Sequence, residues 1–421
     1  MPEAMTKHFD VIVAGGGAGG LAAAVAAARM GARVLLVERY GFLGGAAANS
    51  LVLAYCGFFQ KGETPVSAVE GIGAEVLRDL AELGQDVSAV RSRSGNWIIM
   101  LDPEAVKFAF DRFCTKTAVT VLLHSRVTGV ATAGEGIASV TLTDHAGSHE
   151  ISASAFVDAT GEATVCHLAG VEMFVDATRD DNVQPASMPI RIGGVAPNAV
   201  FDRKLLTQLI AEHNAGAVDM IPRADGGILM QLPASGDYWW MNIDLVTDGL
   251  TGASLTHVEQ QARREAWRNL ALLRKLPGFE NAYIAASGPQ IGIRESRRPR
   301  SLHDLTGEAL SRGTRRPDGI GRAAWPIEVH EAPGRARFVD IGGDGFADIP
   351  LDALRVSGKH NLFLAGRVAG ADEAAYGSLR VMGTAFATGH AAGVAAAHSA
   401  LGKELSVTIV RRELARQGAL I

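Results

Sequence analysis

The N-terminal part of the chain consists of apolar runs separated by a glycine-rich turn. Residues 11–13 are apolar, residues 15–20 are glycine except for Ala18, and a second apolar run, 34–37, ends at Glu38. Short apolar runs next to glycine are typical of buried strands, whereas the alanine-rich segment between them favours a helix. The pattern predicts a strand, a turn, a helix and a second strand.

Helical periodicity returns at two later places. Residues 68–83 repeat apolar positions at helical spacing, and Gly84 follows as a stop signal. Asp102 and Pro103 precede a second apolar helical face. Aspartate is a favoured N-cap and proline a favoured first helical residue, so a helix is predicted to begin there.

From residue 119 the pattern changes to alternation between apolar and polar positions. Residues 119–158 predict a strand and an antiparallel meander that returns to a buried strand at 155–157. Gly161 follows that last strand. Ligands of open α/β sheets bind where a strand turns into a helix, so this glycine is a candidate ligand contact.

The middle of the chain changes character again. Strand-like runs and one long helix, 254–276 with Ser254 as its cap, predict a second unit between residues 171 and 316 that is mixed α+β and mainly antiparallel. After it, a buried strand ends near Gly366, a polar loop spans 368–378, and a helix of small residues spans 379–401. We therefore predict one α/β domain formed by residues 1–170 and 317–421, and a substrate domain formed by 171–316.

The spacing of the N-terminal glycines indicates chemistry. Gly15, Gly17 and Gly20 form G-x-G-x-x-G, which permits a tight turn, close approach of a pyrophosphate and close packing of helix on strand. Glu38 stands at the distance expected for the acid that binds a ribose hydroxyl. These residues predict a dinucleotide site and leave NAD and FAD both open.

Composition narrows the partners. The net charge of −5 does not favour nucleic acid as a partner, and three scattered cysteines favour a reducing compartment. Residues 11–28 carry no charge, but their glycine spacing favours the dinucleotide turn over a membrane span. We expect a cytoplasmic protein that has no metal site and acts on a small molecule.

Taken together, the motifs resemble the FAD-dependent oxidoreductase family of the two-dinucleotide-binding-domain flavoproteins. The matching segments are 15–20 with Glu38, 41–45, 157–161, 292–297, 365–367, 377–382 and 388–393. The resemblance implies a Rossmann-like FAD-binding domain with a βββ meander and FAD as the cofactor. Paired cysteines of the disulfide-reductase type are replaced by Ala46, Ala47 and Ala48, so dithiol chemistry is not expected.

The resemblance also implies which residues hold FAD. Gly15, Gly17, Ala18 and Gly20 would hold the pyrophosphate. Glu38 would bind the ribose with Arg39 beside it, and Gly44 to Ala46 would pass near the flavin. Asp372 would supply an acid that relatives have at the position of Arg367, and amides between Leu379 and Met382 would face the flavin N1–C2=O edge. The implied set is Gly15, Gly17, Ala18, Gly20, Glu38, Arg39, Gly44, Gly45, Ala46, Val127, Gly161, Gly366, Arg367, Asp372, Leu379 and Met382.

Catalytic residues are less clearly marked. His330 is a candidate acid or base beside the flavin and equally a candidate structural histidine. Arg294 or Arg191 is a candidate anchor for a substrate carboxylate, although the charge cluster 294–300 also fits a solvated loop. We expect hydride transfer between flavin and a small organic substrate; a flavin monooxygenase and a non-catalytic redox sensor are the alternatives.

Overall fold

Strands and helices alternate along the chain in a computed structural model that describes residues 7–179, 183–216, 218–403 and 405–421. Residues 1–6 of the predicted 1–170 segment lie outside the described residues. The helices are α1 (Ala18–Arg29), α2 (Ala46–Asn49), α3 (Ile72–Glu82), α4 (Pro103–Lys116), α5 (Thr164–Leu168), α6 (Arg203–Gly216), α7 (Gly252–Leu273), α8 (Gly307–Arg312), α9 (Glu373–Leu379), α10 (Met382–Ala400) and α11 (Val407–Arg416).

Strands account for most of the remaining regular structure. They are β1 (His8–Ala14), β2 (Val34–Val37), β3 (Ala54–Cys56), β4 (Ala89–Arg91), β5 (Trp97–Met100), β6 (Thr120–Leu122), β7 (Arg126–Ala133), β8 (Gly136–Asp144), β9 (Gly147–Asp158), β10 (Met173–Asp176), β11 (Ala186–Ser187), β12 (Ile190–Gly193), β13 (Ile228–Gln231), β14 (Tyr238–Met241), β15 (Asp244–Leu245), β16 (Tyr283–Ser287), β17 (Arg297–Pro299), β18 (Gly319–Ala323), β19 (Ile327–Ala332), β20 (Arg335–Val339), β21 (Ala347–Pro350) and β22 (Leu362–Leu364).

The largest sheet has the strand order β6-β2-β1-β9-β8-β7. Strands β6, β2, β1 and β9 run parallel, and β1 and β2 are joined through α1. The strand, turn, helix and strand predicted from the first apolar runs are confirmed. Because every residue of β2 is buried, its uninterrupted apolar sequence fits a strand covered on both faces.

Strand β9 is long enough to pair with different partners along its length. Its first half pairs antiparallel with β8, which itself pairs antiparallel with β7. Its last residues pair in parallel with β22, which comes from the C-terminal part of the chain. The C-terminal region thus contributes β22 to the same sheet as β1, the strand that begins at His8.

Helix α10 packs directly against α1. A Cβ added to Gly389 would lie 2.8 Å from the Cα of Gly19, and one added to Gly393 would lie 2.7 Å from the Cα of Ala23. Since both glycines are buried and lie four residues apart, they face α1 on one side of α10. The two helices approach closely because neither glycine has a side chain.

A second sheet lies in the middle of the chain. It is antiparallel, with the order β13-β14-β12-β16, and its core includes Ile190, Ile192 and Trp240 packed with α6 and α7. The predicted long helix is present as α7, but Ser254 is not its cap. Thr251 caps it instead, because its side chain accepts a hydrogen bond from the amide of Ser254 at 3.3 Å.

Local signals located some helix ends correctly and missed others. Asp102 caps α4 and accepts hydrogen bonds from two amides of the first turn, at 2.9 and 3.1 Å, as predicted. The helix predicted over 379–401 is present as α10 but begins only at Met382, whereas the prediction of a loop over 368–378 is wrong. Helix α9 covers residues 373–378 of the predicted loop. Arg380 and Val381 then separate α9 from α10 and belong to neither helix.

Candidate functional site

A cavity of about 650 Å³ extends from the glycine turn after β1 to the first turn of α10. Residues from both sheets and from the C-terminal region line it. Its volume lies within the ~300–1,000 Å³ typical of small-molecule sites. Many of the residues predicted from the sequence to form the site line this cavity. They are Gly15, Gly17, Ala18, Glu38, Arg39, Gly45, Ala46, Val127, Gly161, Arg294, His330, Gly366, Arg367 and Met382.

The turn after β1 is held open by the absence of side chains. Gly15 has φ +102°, and a Cβ there would lie 2.6 Å from the carbonyl carbon of Ala159. A Cβ on Gly45 would lie 2.7 Å from the Cα of Gly17. The first amides of α1, which by helix geometry have no intrahelical acceptor, therefore face a region lined by bare backbone.

Glu38 ends β2 at the same edge of the cavity. Its carboxylate accepts hydrogen bonds from the amides of Gly16 at 2.7 Å and Tyr40 at 3.0 Å. Burial, the largest influence, raises the pKa of Glu38 although both amides and the charge of Arg39 oppose this. The carboxylate is thus fixed against the glycine turn, where it can accept a further hydrogen bond from a ribose hydroxyl.

A second acidic residue, Glu162, lies between two arginines of the cavity. Its Oε1 is 2.6 Å from Nη2 of Arg367 and 3.6 Å from Nη2 of Arg39. Arg367 also donates to the carbonyl of Ile293 at 2.6 Å, and its Nε lies 2.6 Å from where a Cβ on Gly161 would be. Positive charge therefore lines the strand-to-helix turn at Gly161.

Four of the predicted cofactor residues do not line the cavity: Gly20, Gly44, Asp372 and Leu379. Gly20 packs against the backbone of Gly15, which is the packing role expected of the third glycine. The amide of Gly44 donates to the carbonyl of Gly16 at 2.9 Å and so stabilises the turn without lining the cavity. Leu379 is fully buried at the end of α9.

Asp372, which the resemblance implied as an acid for the cofactor, does not line the cavity. Its side chain caps α9 by accepting from the amide of Ala375 at 2.7 Å, and it also accepts from the amide of Gly307 at 2.9 Å. Both oxygens are thus committed to backbone donors away from the cavity. The sequence signal was that of an ordinary N-cap.

His330 and Glu328 lie on β19 and line the cavity together. Nε2 of His330 is 3.1 Å from Oε1 of Glu328, and Oε2 of Glu328 accepts from the indole of Trp325 at 2.7 Å. The main-chain amide of His330 donates to Gln184 at 3.1 Å. Within the described part of the chain, Nδ1 of His330 has no hydrogen-bond partner.

The pKa values of both members of this pair are lowered. Burial and the charge of Arg294 lower the pKa of His330 to about 4, against the hydrogen bond with Glu328. Burial opposes ionisation of Glu328, but the hydrogen bond with His330 and the charge of Arg380 outweigh it and lower its pKa to about 2. At neutral pH Glu328 is ionised, so Nε2 of neutral His330 carries the proton and Nδ1 is an acceptor.

The two arginines proposed to anchor a carboxylate have other partners. Arg294 donates to Asp244 at 2.9 Å and to the carbonyl of Pro185 at 2.5 Å. Arg191 pairs with Asp237 at 2.7 Å and does not line the cavity, which contradicts its proposed role. The arginine cluster is also no solvated loop, since Arg294 and Arg298 are both buried.

The residues of the site that were not predicted from the sequence include Glu328 and Arg380. Glu328 stands two residues before His330, a spacing that puts both side chains on one face of a strand. Arg380 lines the cavity at the break between α9 and α10. The local sequence carries no glycine or proline at that break, so no stop signal marks it.

The geometry fits an FAD-type dinucleotide. Bare backbone at Gly17 and Gly45, the fixed carboxylate of Glu38 and the start of α10 line one cavity from end to end. Fold and site together define an α/β protein with a dinucleotide-type cavity, lined by residues that follow β1 and by residues that begin α10. A family model described as FAD dependent oxidoreductase matches residues 10–417. The chain belongs to this family, and it is an enzyme with FAD as its cofactor.

Solved structures share the fold at low identity. The OxyS anhydrotetracycline hydroxylase from Streptomyces rimosus is 13% identical with a TM-score of 0.50, covering 97% of this chain and 66% of that one. A geranylgeranyl bacteriochlorophyll reductase-like protein from Thermoplasma acidophilum is 12% identical with a TM-score of 0.50, covering 97% and 83%. This chain thus spans just under two thirds of the hydroxylase. These similarities concern the fold alone.

Other comparisons are negative. No curated protein matches the sequence. Among the residues that the structure describes, no helix is both long and apolar enough to cross a membrane, and no cluster of three or more His, Cys, Asp or Glu could hold a metal ion.

Proposed function

We propose that this enzyme transfers a hydride between FAD and a small organic substrate while His330 accepts or returns the accompanying proton. The observation that carries the proposal is the pairing of neutral His330 with ionised Glu328 on the wall of the cavity that also contains the dinucleotide turn. A neutral histidine held by a carboxylate is the usual form of a general base.

The cofactor would be held by the residues that line the cavity. The amides at the start of α1, with Gly15, Gly17 and Ala18, would bind the diphosphate, and Glu38 the ribose. The amides at the start of α10, from Met382 onward, would face the pyrimidine edge of the flavin and stabilise negative charge there. FAD, when bound, supplies the acceptor or donor of the hydride and its electron pair.

The protein supplies the proton chemistry. A substrate carbon that loses hydride must also lose a proton from its attached oxygen or nitrogen, and Nδ1 of His330 is the group that takes it. Glu328 then stabilises the resulting imidazolium through the Nε2 hydrogen bond. In the reverse direction the same imidazolium returns the proton.

The proposed division of labour follows the predicted domains. Residues 1–170 and 317–421 would form the FAD-binding domain, which is supported by the pairing of β22 with β9 and by the packing of α10 on α1. Residues 171–316 would form the substrate domain, which is supported by an antiparallel sheet formed entirely within that range. Apolar side chains from this region, including Met230 and Trp239, line the cavity.

An anaerobic spectral screen tests the proposal. Purified holoenzyme is mixed without oxygen with amines, hydroxy acids, thiols and NAD(P)H, and bleaching of the flavin is recorded. We expect an organic substrate to bleach the flavin. Bleaching by NAD(P)H alone would contradict the proposal.

The two alternatives give different results in the same assay. A monooxygenase would be reduced by NAD(P)H and would then place an atom of labelled dioxygen in its product. A redox sensor would bind FAD and turn over none of the compounds. Either outcome would overturn hydride transfer from an organic substrate as the reaction.

A further inference from the structure

Several arginines that line the cavity are at least half-buried. Arg380 differs from the rest of this group in its partners. Each of the others has an acidic partner: Arg39 and Arg367 with Glu162, and Arg223 and Arg294 with Asp244. Arg380 forms a direct ion pair with no carboxylate of the described residues: Glu328 acts on it only through space, and burial outweighs that charge and lowers the pKa of Arg380. An enclosed arginine without an acidic partner is costly unless another anion compensates its charge.

The contacts of Arg380 leave most of its donors unused. Its Nη2 donates one long hydrogen bond, 3.3 Å, to the main-chain carbonyl of Glu328. Its Nε is buried and has no partner among the described residues. The carboxylate of Glu328, the nearest acid on β19, is already committed to His330 and Trp325. A guanidinium has five N–H donors, so a planar fork remains for a ligand.

The position of Arg380 connects it to the proposed reaction. It follows α9 and lies on the cavity wall with Glu328 and His330. The neighbouring wall is apolar: a Cβ on Gly57 would lie 2.6 Å from Cγ2 of Val381, which puts the end of β3 against the residue after Arg380. A ligand here would meet the guanidinium of Arg380, the His330–Glu328 pair and an apolar surface.

We propose that Arg380 binds the carboxylate of the substrate, so that the enzyme acts on an organic acid with an apolar body. This inference rests on the proposed function, because it places the substrate beside His330. It also replaces Arg191 and Arg294 as the anchor, since their donors are engaged by Asp237 and Asp244. The pyrimidine edge of the flavin is the other acceptor that a guanidinium at this place can serve, and the test separates the two.

The test measures binding without turnover. Holoenzyme is titrated with sodium benzoate and, separately, with benzamide, which has the same ring and no charge, and the change in flavin absorbance gives each dissociation constant. We expect Arg380→Met to weaken benzoate binding at least ~10-fold, the loss typical of a charge-assisted hydrogen-bonded pair, and to leave benzamide within ~2-fold. Arg312→Met is the matched control, because Arg312 is an exposed arginine of α8 outside the cavity.

A conservative variant keeps the test decisive if Arg380→Met fails to retain FAD. Arg380→Lys keeps the charge and loses the fork, so we expect benzoate to weaken ~3-fold or more and benzamide to be unaffected. No response of the wild type to benzoate would overturn the inference. So would equal losses for benzoate and benzamide, or unchanged benzoate binding with a shifted flavin reduction potential, which would assign Arg380 to the flavin edge.

Failure of this inference and failure of the proposed function are distinguishable. Benzoate binding depends on Arg380 and requires no proton transfer. If benzoate binding depends on Arg380 while His330 variants react normally, the carboxylate site stands and the proposed role of His330 is wrong. The converse result would remove the carboxylate site alone.

Discussion

Nε2 of His330 lies 3.1 Å from Oε1 of Glu328, two residues earlier on the same strand. Side chains two apart on a strand point to the same face, so β19 presents both groups to the cavity at once. Because Trp325 holds the other carboxylate oxygen at 2.7 Å, Glu328 cannot turn away without losing a buried hydrogen bond. The histidine is therefore fixed in one tautomer before any substrate arrives.

Replacement of His330 tests its role as the base. His330→Gln should retain FAD, but the rate of flavin reduction by a substrate from the anaerobic screen should fall roughly 100-fold, the usual contribution of general base catalysis. Stopped-flow absorbance measures this rate. His303→Gln is the control, because His303 is exposed and lies outside the cavity. An unchanged rate in His330→Gln would show that the histidine is structural.

The pH dependence of flavin reduction tests the Glu328 interaction. Since the pKa of His330 is about 4, the base is fully available at neutral pH, and the rate should fall only as the pH approaches 4. In Glu328→Gln the carboxylate no longer stabilises the imidazolium, so the pKa of His330 falls further and the acid limb moves to lower pH. An acid limb that moves to higher pH would contradict this arrangement.

Glu38 should govern cofactor affinity. Glu38→Ala removes a charged acceptor for a ribose hydroxyl and leaves the amide of Gly16 without its partner. We expect the dissociation constant of FAD to rise ~10-fold or more, since hydrogen bonds to charged groups contribute ~1.5–3 kcal/mol. Quenching of FAD fluorescence by the apoprotein measures it. Glu308→Ala, at an exposed glutamate of α8, should leave the affinity unchanged.

The contact between α1 and α10 should be sensitive to a single methyl group. Gly389→Ala would force a Cβ to within 2.8 Å of the Cα of Gly19, and overpacking of this kind costs about 1–3 kcal/mol. Urea unfolding measures the loss. In Gly252→Ala the added Cβ meets nothing within 4 Å, so this variant should unfold like the wild type. Equal stability of the two variants would mean that the helices can move apart.

Acid should destabilise the fold partly through His390. This buried histidine bonds to Gln417 at 3.1 Å, and burial lowers its pKa to about 4. Because the unfolded chain binds a proton near pH 6.5, stability is complete above that value and declines as the pH falls from about 6.5 to 4, by up to about 3 kcal/mol.

Removal of the imidazole should remove that part of the pH dependence. His390→Gln should show a smaller difference in free energy of unfolding between pH 7 and pH 4.5 than the wild type, as measured by urea titration at each pH. A variant of the exposed His145 should retain the full difference. The same pH dependence in His390→Gln and wild type would assign the effect to other groups.

The parts of the site that depend on local sequence were predictable. Residue spacing within short stretches of sequence predicts the turn at Gly15, the position of Glu38 and the cap at Asp102. Each of these features has a local physical cause. The family resemblance extended this to FAD.

The parts that depend on distant contacts were not predictable in this way. The sequence around Asp372 fits a helix cap and a ligand alike, and only the fold shows that the distant amide of Gly307 also donates to its carboxylate. Likewise, the sequence does not distinguish Arg191 from Arg294 as an anchor for a carboxylate. In the structure, Arg191 pairs with Asp237 and Arg294 with Asp244. Such partners lie far apart along the chain, so no window of sequence contains both.

The packing of Gly389 on Gly19 has a consequence for the order of events during synthesis. Helix α1 is synthesised long before α10, the helix that covers it. Until then the alanine face of α1 lacks its cover and the first turn of α10 is missing from the cavity. We therefore expect the cavity to be complete only after α10 has been synthesised, and a chain truncated before residue 389 to leave the alanine face of α1 uncovered.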